Sequence, residues 1–135
     1  MLPFALGETV EVLVEVPRFS FVKRRPNGDV HFVSPIPTLY NYGSVVGTLA
    51  PDGDPLDALL IGPRAPVGTR LRSRLQAVVD FVDHSLPDPK LVLAPAPLNR
   101  AARWQLEAFF RVYARAKLIL DPGPGHTRYN GLILR

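Results

Sequence analysis

The chain has 135 residues, with 16 lysines and arginines against 12 acids, 15 prolines, 10 glycines and no cysteine. This length suits one hydrophobic core and hence one domain over residues 1–135, and the missing cysteines exclude a disulfide framework and a thiolate zinc site. The formal net charge of +4 suits an anionic partner, while the many prolines and glycines argue for short elements and stiff turns, so that a β-rich barrel fits better than a helical bundle.

Met1 to Gly7 has no basic region and too short an apolar run for a signal peptide, and no later stretch is long and apolar enough to span a bilayer. Cytoplasmic residence is the expectation. Val10 to Val16 alternates with period two, which predicts a strand with its valines on one face and Glu11, Leu13 and Glu15 on the other. Pro17 ends it. Arg18 to Arg25, with Phe19 and Phe21 interleaved, leads to the turn signal Pro26-Asn27-Gly28, and Val30 to Val33 reads as the returning strand of a hairpin. A solvated hairpin edge explains these arginines better than a single-stranded nucleic-acid site built from charge and stacking. After a proline-punctuated loop, Ser44 to Leu49 is read as a strand, Ala58 to Ile61 as a buried strand and Arg70 to Val82 as a long one with Arg70, Arg72 and Arg74 on a solvated face. Leu91 to Ala94 follows as another short strand. A helix is predicted from about Arg100 to Leu118, with Asn99 as N-cap and Ala102, Leu106, Phe109, Tyr113, Ala116 and Leu120 on the packed face. Trp104 is assigned to packing, and Leu132 to Leu134 to a last edge strand.

Chemistry concentrates in the acids. Many of them fall in two groups, Asp52 to Asp57 and Asp80 to Asp88, within an otherwise basic chain. In Asp52-Gly53-Asp54-Pro55-Leu56-Asp57, Gly53 permits a tight turn and Pro55 stiffens it, so three carboxylates can converge. Converged carboxylates repel one another unless a cation intervenes, and Mg²⁺, a hard ion that prefers oxygen, suits them. An EF-hand is excluded because its sixth position is Asp57, where glycine is required, and its twelfth is Pro63, where glutamate is required. Such a tetrapeptide is often only a solvated turn. The second group weighs against that reading here: Asp83, Asp88 and Lys90 follow the long strand in a loop stiffened by Pro87 and Pro89. His31, His84 and His126 have no metal-ligand spacing, and only His84, beside Asp83, merits a test.

The run Asp52 to Ala58 resembles the signature of the soluble family I inorganic pyrophosphatases. Glu15-Val16-Pro17, Lys23, Asn41-Tyr42-Gly43, the Asp83/Asp88/Lys90 spacing, and Phe109-Phe110 with Tyr113 resemble further motifs of that family, in order, from about Glu11 to Tyr113. The resemblance implies a mainly β (α+β) fold: a small five-stranded OB-like barrel with one main C-terminal helix packed outside. It also implies Mg²⁺-dependent hydrolysis of pyrophosphate, with several ions per site and Mn²⁺ as an alternative ion, in a homohexamer or other homo-oligomer. Asp52, Asp57, Asp83 and Asp88 would ligate metal directly, Glu15 through metal-bound water, and Asp54 would be the general base. Lys23 and Tyr42 would grip the attacked phosphoryl group, Tyr113 the leaving phosphate, and Lys90 would join the substrate contacts.

Departures from the family pattern fall on the substrate side. Arg25 replaces a glutamate, Thr38 a tyrosine and Ala114 a lysine, and no arginine stands near Val33 or Ser34. The missing arginine and lysine would hold the leaving phosphate, and each lost contact to developing charge could add about 2–4 kcal/mol to the barrier. Either Arg25, Arg115 or Lys117 supplies the charge, or the leaving group differs. The alternatives are therefore a weakened pyrophosphatase, a hydrolase of another phosphoric anhydride such as a nucleotide, and a non-catalytic metal-, phosphate- or nucleic-acid-binding barrel.

Overall fold

The computed structural model describes residues 3–20, 22–24, 30–33, 38–49, 53–120 and 127–133. Valine alternation produces the first strand, β1 (Thr9–Val16), with Val10, Val12 and Val14 buried and Glu11, Leu13 and Glu15 half-buried. There follow β2 (Val22–Arg24), β3 (Val30–Val33), β4 (Asn41–Val45), β5 (Asp57–Leu60), β6 (Arg70–Asp83), β7 (Leu86–Pro87), β8 (Lys90–Ala94), helix α1 (Arg100–Leu120) and β9 (Arg128–Ile133). β2 and β3 form the predicted hairpin, apart from the main sheet.

Five strands close a ring in the order β1-β4-β5-β8-β6, and β6 pairs back onto β1. All its pairings are antiparallel except β5–β8. The arrangement agrees with the expected OB-like fold, and β9 extends it by pairing with β6. Inside the ring lies one core, built from Val10, Val12, Val45, Ala58, Leu60, Leu91, Leu93 and neighbours. The alternate residues of the same strands, Leu59, Val79, Phe81 and Val92, point outward and form a second core with Leu106, Phe109, Phe110 and Ala114 of α1. Fully burying a side chain such as Leu59 or Phe110 contributes about 1.5–3 kcal/mol.

Asn99 caps α1 as expected, its Oδ1 accepting from the Ala102 N–H at 2.8 Å. Phe110 and Ala114 belong to the packed stripe, whereas Ala102 and Ala116 only flank it. Trp104 corrects an expectation. It is 70% exposed, because two residues before Leu106 is a rotation of roughly 200° away from the core face. The strand expected at Ser44–Leu49 is instead Asn41–Val45: pairing with β5 from Asn41↔Leu60 to Ser44↔Asp57 fixes its span. The chain then turns at Val46 and Gly47, where Gly47 has φ 79°. The last strand starts at Arg128, earlier than predicted. Arg70 and Arg72 are exposed as expected and reach Glu11 across β1–β6 at 3.4 and 3.2 Å, contacts worth little in water.

Candidate active site

The same alternation that fills the ring aims chemistry at its outer side. On β5, Asp57 shares a face with Leu59; on β8, Lys90 with Val92; on β6, Asp83 with Val79 and Phe81. Asp57 and Lys90 are register partners across the parallel pair. Tyr42, the partner of Leu59 on β4, joins them. Helix α1 lies over this face and contributes Tyr113 and, one turn later, Lys117.

Lys90 is the centre of the cluster. Its Nζ donates to Asp57 Oδ2 at 3.1 Å and to Asp88 Oδ2 at 2.9 Å, and its side chain is only 4% exposed. The ammonium lies 5.6 Å from the Tyr42 ring centroid and 5.3 Å from that of Phe81. Burial alone would lower the Lys90 pKa, but the negative charges of Asp57 and Asp88 outweigh it and hold the group charged, well above the usual lysine range. Burial, followed by the charge of Asp57, drives the Tyr42 phenol well above its ordinary value, so it stays neutral.

Asp83 lies across from this group at the end of β6. Its Oδ2 accepts from Lys117 Nζ at 2.5 Å, its Oδ1 accepts from Thr127 Oγ1 at 3.0 Å, and His84 Nε2 stands 3.7 Å from Oδ1. Burial works to raise the Asp83 carboxyl, and the hydrogen bond and charge of Lys117, aided by Thr127 and His84, reverse that and hold it below the ordinary carboxylate range. A two-residue turn, His84 (φ 49°) and Ser85 (φ 67°), folds β7 back onto β6. The Asp88 N–H then donates to Phe81 O at 2.9 Å, which brings Asp88 back alongside β6. Between the strands and the helix a cavity of about 30 Å³ is lined by Val16, Thr38, Tyr42, Lys90, Phe109, Phe110 and Tyr113. It has room for water and not for a diphosphate.

Asn41-Tyr42-Gly43 has a distinct job at each residue. Asn41 is buried, accepts from the Arg18 and Ala65 N–H groups through Oδ1 at 3.0 and 2.9 Å, and donates through Nδ2 to Pro63 O at 2.6 Å. It thereby ties two loops to the rim. Tyr42 faces the cavity. A Cβ on Gly43 would lie 1.9 Å from Leu13 O, so the close approach of β4 to β1 requires glycine. The register of that pair shifts between Val14 and Val16, and Val16 pairs with Tyr42 beside the cavity.

The inorganic pyrophosphatase family model matches residues 12–119, most of the chain and all of the cluster except Thr127. The chain belongs to the inorganic pyrophosphatase family. It is 37% identical over 97 residues to an inorganic pyrophosphatase of Aeropyrum pernix, covering 65% of this chain and 54% of that protein. With an inorganic pyrophosphatase of Gluconobacter oxydans it shares 34% identity over 98 residues, 67% of this chain and 57% of the relative. The chain thus spans little more than half the length of these curated relatives. An inorganic pyrophosphatase structure from Neisseria gonorrhoeae superposes with a TM-score of 0.75 at 27% identity, over 94% of this chain and 83% of the other.

In this pyrophosphatase-family fold, Asp57, Asp88, Lys90 and Tyr42 come together, with Tyr113 and Asp83 on the same helix-covered side. Glu15 is half-buried within the β1 irregularity, and Asp54 is exposed on the loop before β5. Asp52 lies outside the described residues, as do His126 and Arg25, and Lys23 is described by its backbone on β2. Among the described residues, no three His, Asp or Glu side chains close on a single point as a ready metal cage. The donors nevertheless suit a hard cation: all are carboxylate oxygens, and one ammonium already bridges Asp57 and Asp88. Asp57 and Asp88 share the Lys90 ammonium, and Asp83 pairs separately with Lys117. Sequence reasoning missed Thr127, which follows a proline- and glycine-rich run with no periodic signal, and it named Lys117 only as a possible substitute charge.

Proposed function

We propose that this chain hydrolyses inorganic pyrophosphate to two phosphates and requires Mg²⁺ to do so. The observation that carries the reading is the joining of Asp57 and Asp88 on one buried cation beside Tyr42, in a chain that matches the pyrophosphatase family. Asp52, Asp57, Asp83 and Asp88 are the proposed direct metal ligands, with Glu15 acting through water. Bound Mg²⁺ supplies charge neutralisation and lowers the pKa of the attacking water. Asp54, exposed on its loop, takes that water's proton as general base. Lys23 and Tyr42 hold the phosphoryl group under attack, and Tyr113 receives the leaving phosphate. Lys90, fixed between two acids, keeps those acids in place and presents a positive charge to the substrate. The exposed apolar residues Trp104, Val112 and Ile119 on the outer side of α1 support a homo-oligomer, which light scattering would register as a mass above that of one chain.

A second reading, another phosphoric anhydride as substrate, draws on Ala114, which packs in the apolar stripe and offers no charge to a leaving phosphate. Phosphate release from pyrophosphate and from nucleoside di- and triphosphates, with and without Mg²⁺, separates the two. Pyrophosphate should be the best substrate and should be inert without the ion. A nucleotide clearly preferred over pyrophosphate excludes the first reading.

A further inference from the structure

We infer that Lys117 is a built-in competitor for the divalent cation at Asp83, and that once displaced its ammonium serves the leaving phosphate. The second half rests on the pyrophosphatase reading; the first does not. Both oxygens of Asp83 are engaged, Oδ2 by Lys117 and Oδ1 by Thr127, with His84 at 3.7 Å. A cation taken up by Asp83 would crowd these partners and would repel the Lys117 ammonium on Oδ2, which favours displacing one of them.

The partners differ in their freedom to leave. Thr127 is 6% exposed, carries a short side chain and is also tied to the chain by the His84 N–H at 3.4 Å. Lys117 stands near the end of α1 on a flexible four-carbon stem, its side chain 16% exposed. Lys117 is the group that moves. Lys90 offers the contrast, because it issues from a buried strand and is held by two carboxylates.

The released ammonium has a use close by. Tyr113 precedes Lys117 by four residues on α1, so the two lie on one helix face. Ala114 is buried in the stripe and cannot supply a cation there. One side chain thus neutralises Asp83 before metal arrives and contributes positive charge to the leaving phosphate after it.

The test is calorimetric titration of the metal-free full chain with Mn²⁺, for wild type, Lys117→Met and Lys117→Arg, alongside pyrophosphate turnover at saturating Mg²⁺. Lys117→Gln replaces Lys117→Met if the latter does not melt cooperatively. Removing the competing ammonium should tighten Mn²⁺ about fivefold, and Lys117→Arg, whose fork grips a carboxylate more firmly, should weaken it. Turnover in Lys117→Met should fall about a hundredfold even with metal saturating. An unchanged or weaker Mn²⁺ affinity in Lys117→Met overturns the inference. Tighter metal with undiminished turnover overturns its second half. A wild type that leaves pyrophosphate intact, while Lys117→Met still tightens Mn²⁺, sinks the proposed function and leaves the competition standing.

Discussion

The inside and the outside of the strand ring are made by the same residues in alternation, yet they behave as different materials. Inside, Val10, Val12, Leu60, Leu91 and Leu93 pack with one another in an apolar core, and their stability comes from excluding water. Outside, the alternate positions begin as an equally apolar surface, Leu59, Val79, Phe81 and Val92 beneath α1, and end in Asp57, Asp83 and Lys90. The boundary falls where the helix stripe passes from Phe109 and Phe110 to Tyr113 and Lys117. A rigid apolar layer thereby carries ionic groups at its edge, where burial strengthens their mutual attraction without hiding them from solutes.

The contrast can be broken most forcefully at Lys90. Lys90→Met leaves Asp57 and Asp88 facing each other half-buried, and should cost about 3–5 kcal/mol in denaturant unfolding without divalent ions. Added Mg²⁺ should restore part of that loss. The matching interior change, Leu91→Ala, should cost about 2–5 kcal/mol through transfer and cavity terms, and Mg²⁺ should restore none of it. If the two variants respond equally to Mg²⁺, the division between the faces is wrong.

Gly43→Ala probes the junction of β1 and β4, since the new methyl would meet the Leu13 carbonyl at 1.9 Å. A loss of about 1–3 kcal/mol in chemical unfolding is expected, with the backbone shift also disturbing Tyr42. The smallest effect concerns acid. Because Asp83 is held below its ordinary pKa in the folded chain, it contributes stability above the usual carboxylate range, and that contribution is lost as pH falls through the folded value. Asp83→Asn should lower metal-free stability at neutral pH by about 1 kcal/mol and flatten the acid limb of a melting-temperature profile. An unaltered acid limb would show that Lys117 and Thr127 do not act on this carboxyl.

Much of this division was legible in the sequence. Period-two valines announced β1 and its inward face, Asn99 announced the helix start, and the spacing of Asp88 and Lys90 singled out two residues that pair in the fold. What stayed hidden depended on pairing between distant strands. Nothing local tells Asp57 that its neighbour across a parallel ladder is Lys90, or that Asn41 opens a strand because Leu60 pairs with it. Trp104 was misassigned because an aromatic near a helix start suggests packing, and only the register set by Leu106, Phe109 and Phe110 turns it outward. The turn at His84 and Ser85 uses left-handed backbone at non-glycine residues, so the usual hairpin signal was missing.

Acids on the outer face and its rim, neutralised by bound cations, are proposed to drive hydrolysis. Phosphate release from pyrophosphate, followed across a Mg²⁺ titration in wild type and in Asp54→Asn and Asp57→Asn, tests this role most directly. No turnover without Mg²⁺, a saturable rise in wild type, and a loss of about 10²-fold or more in each variant are expected. Turnover that persists without the ion, or that survives both substitutions, would contradict that role.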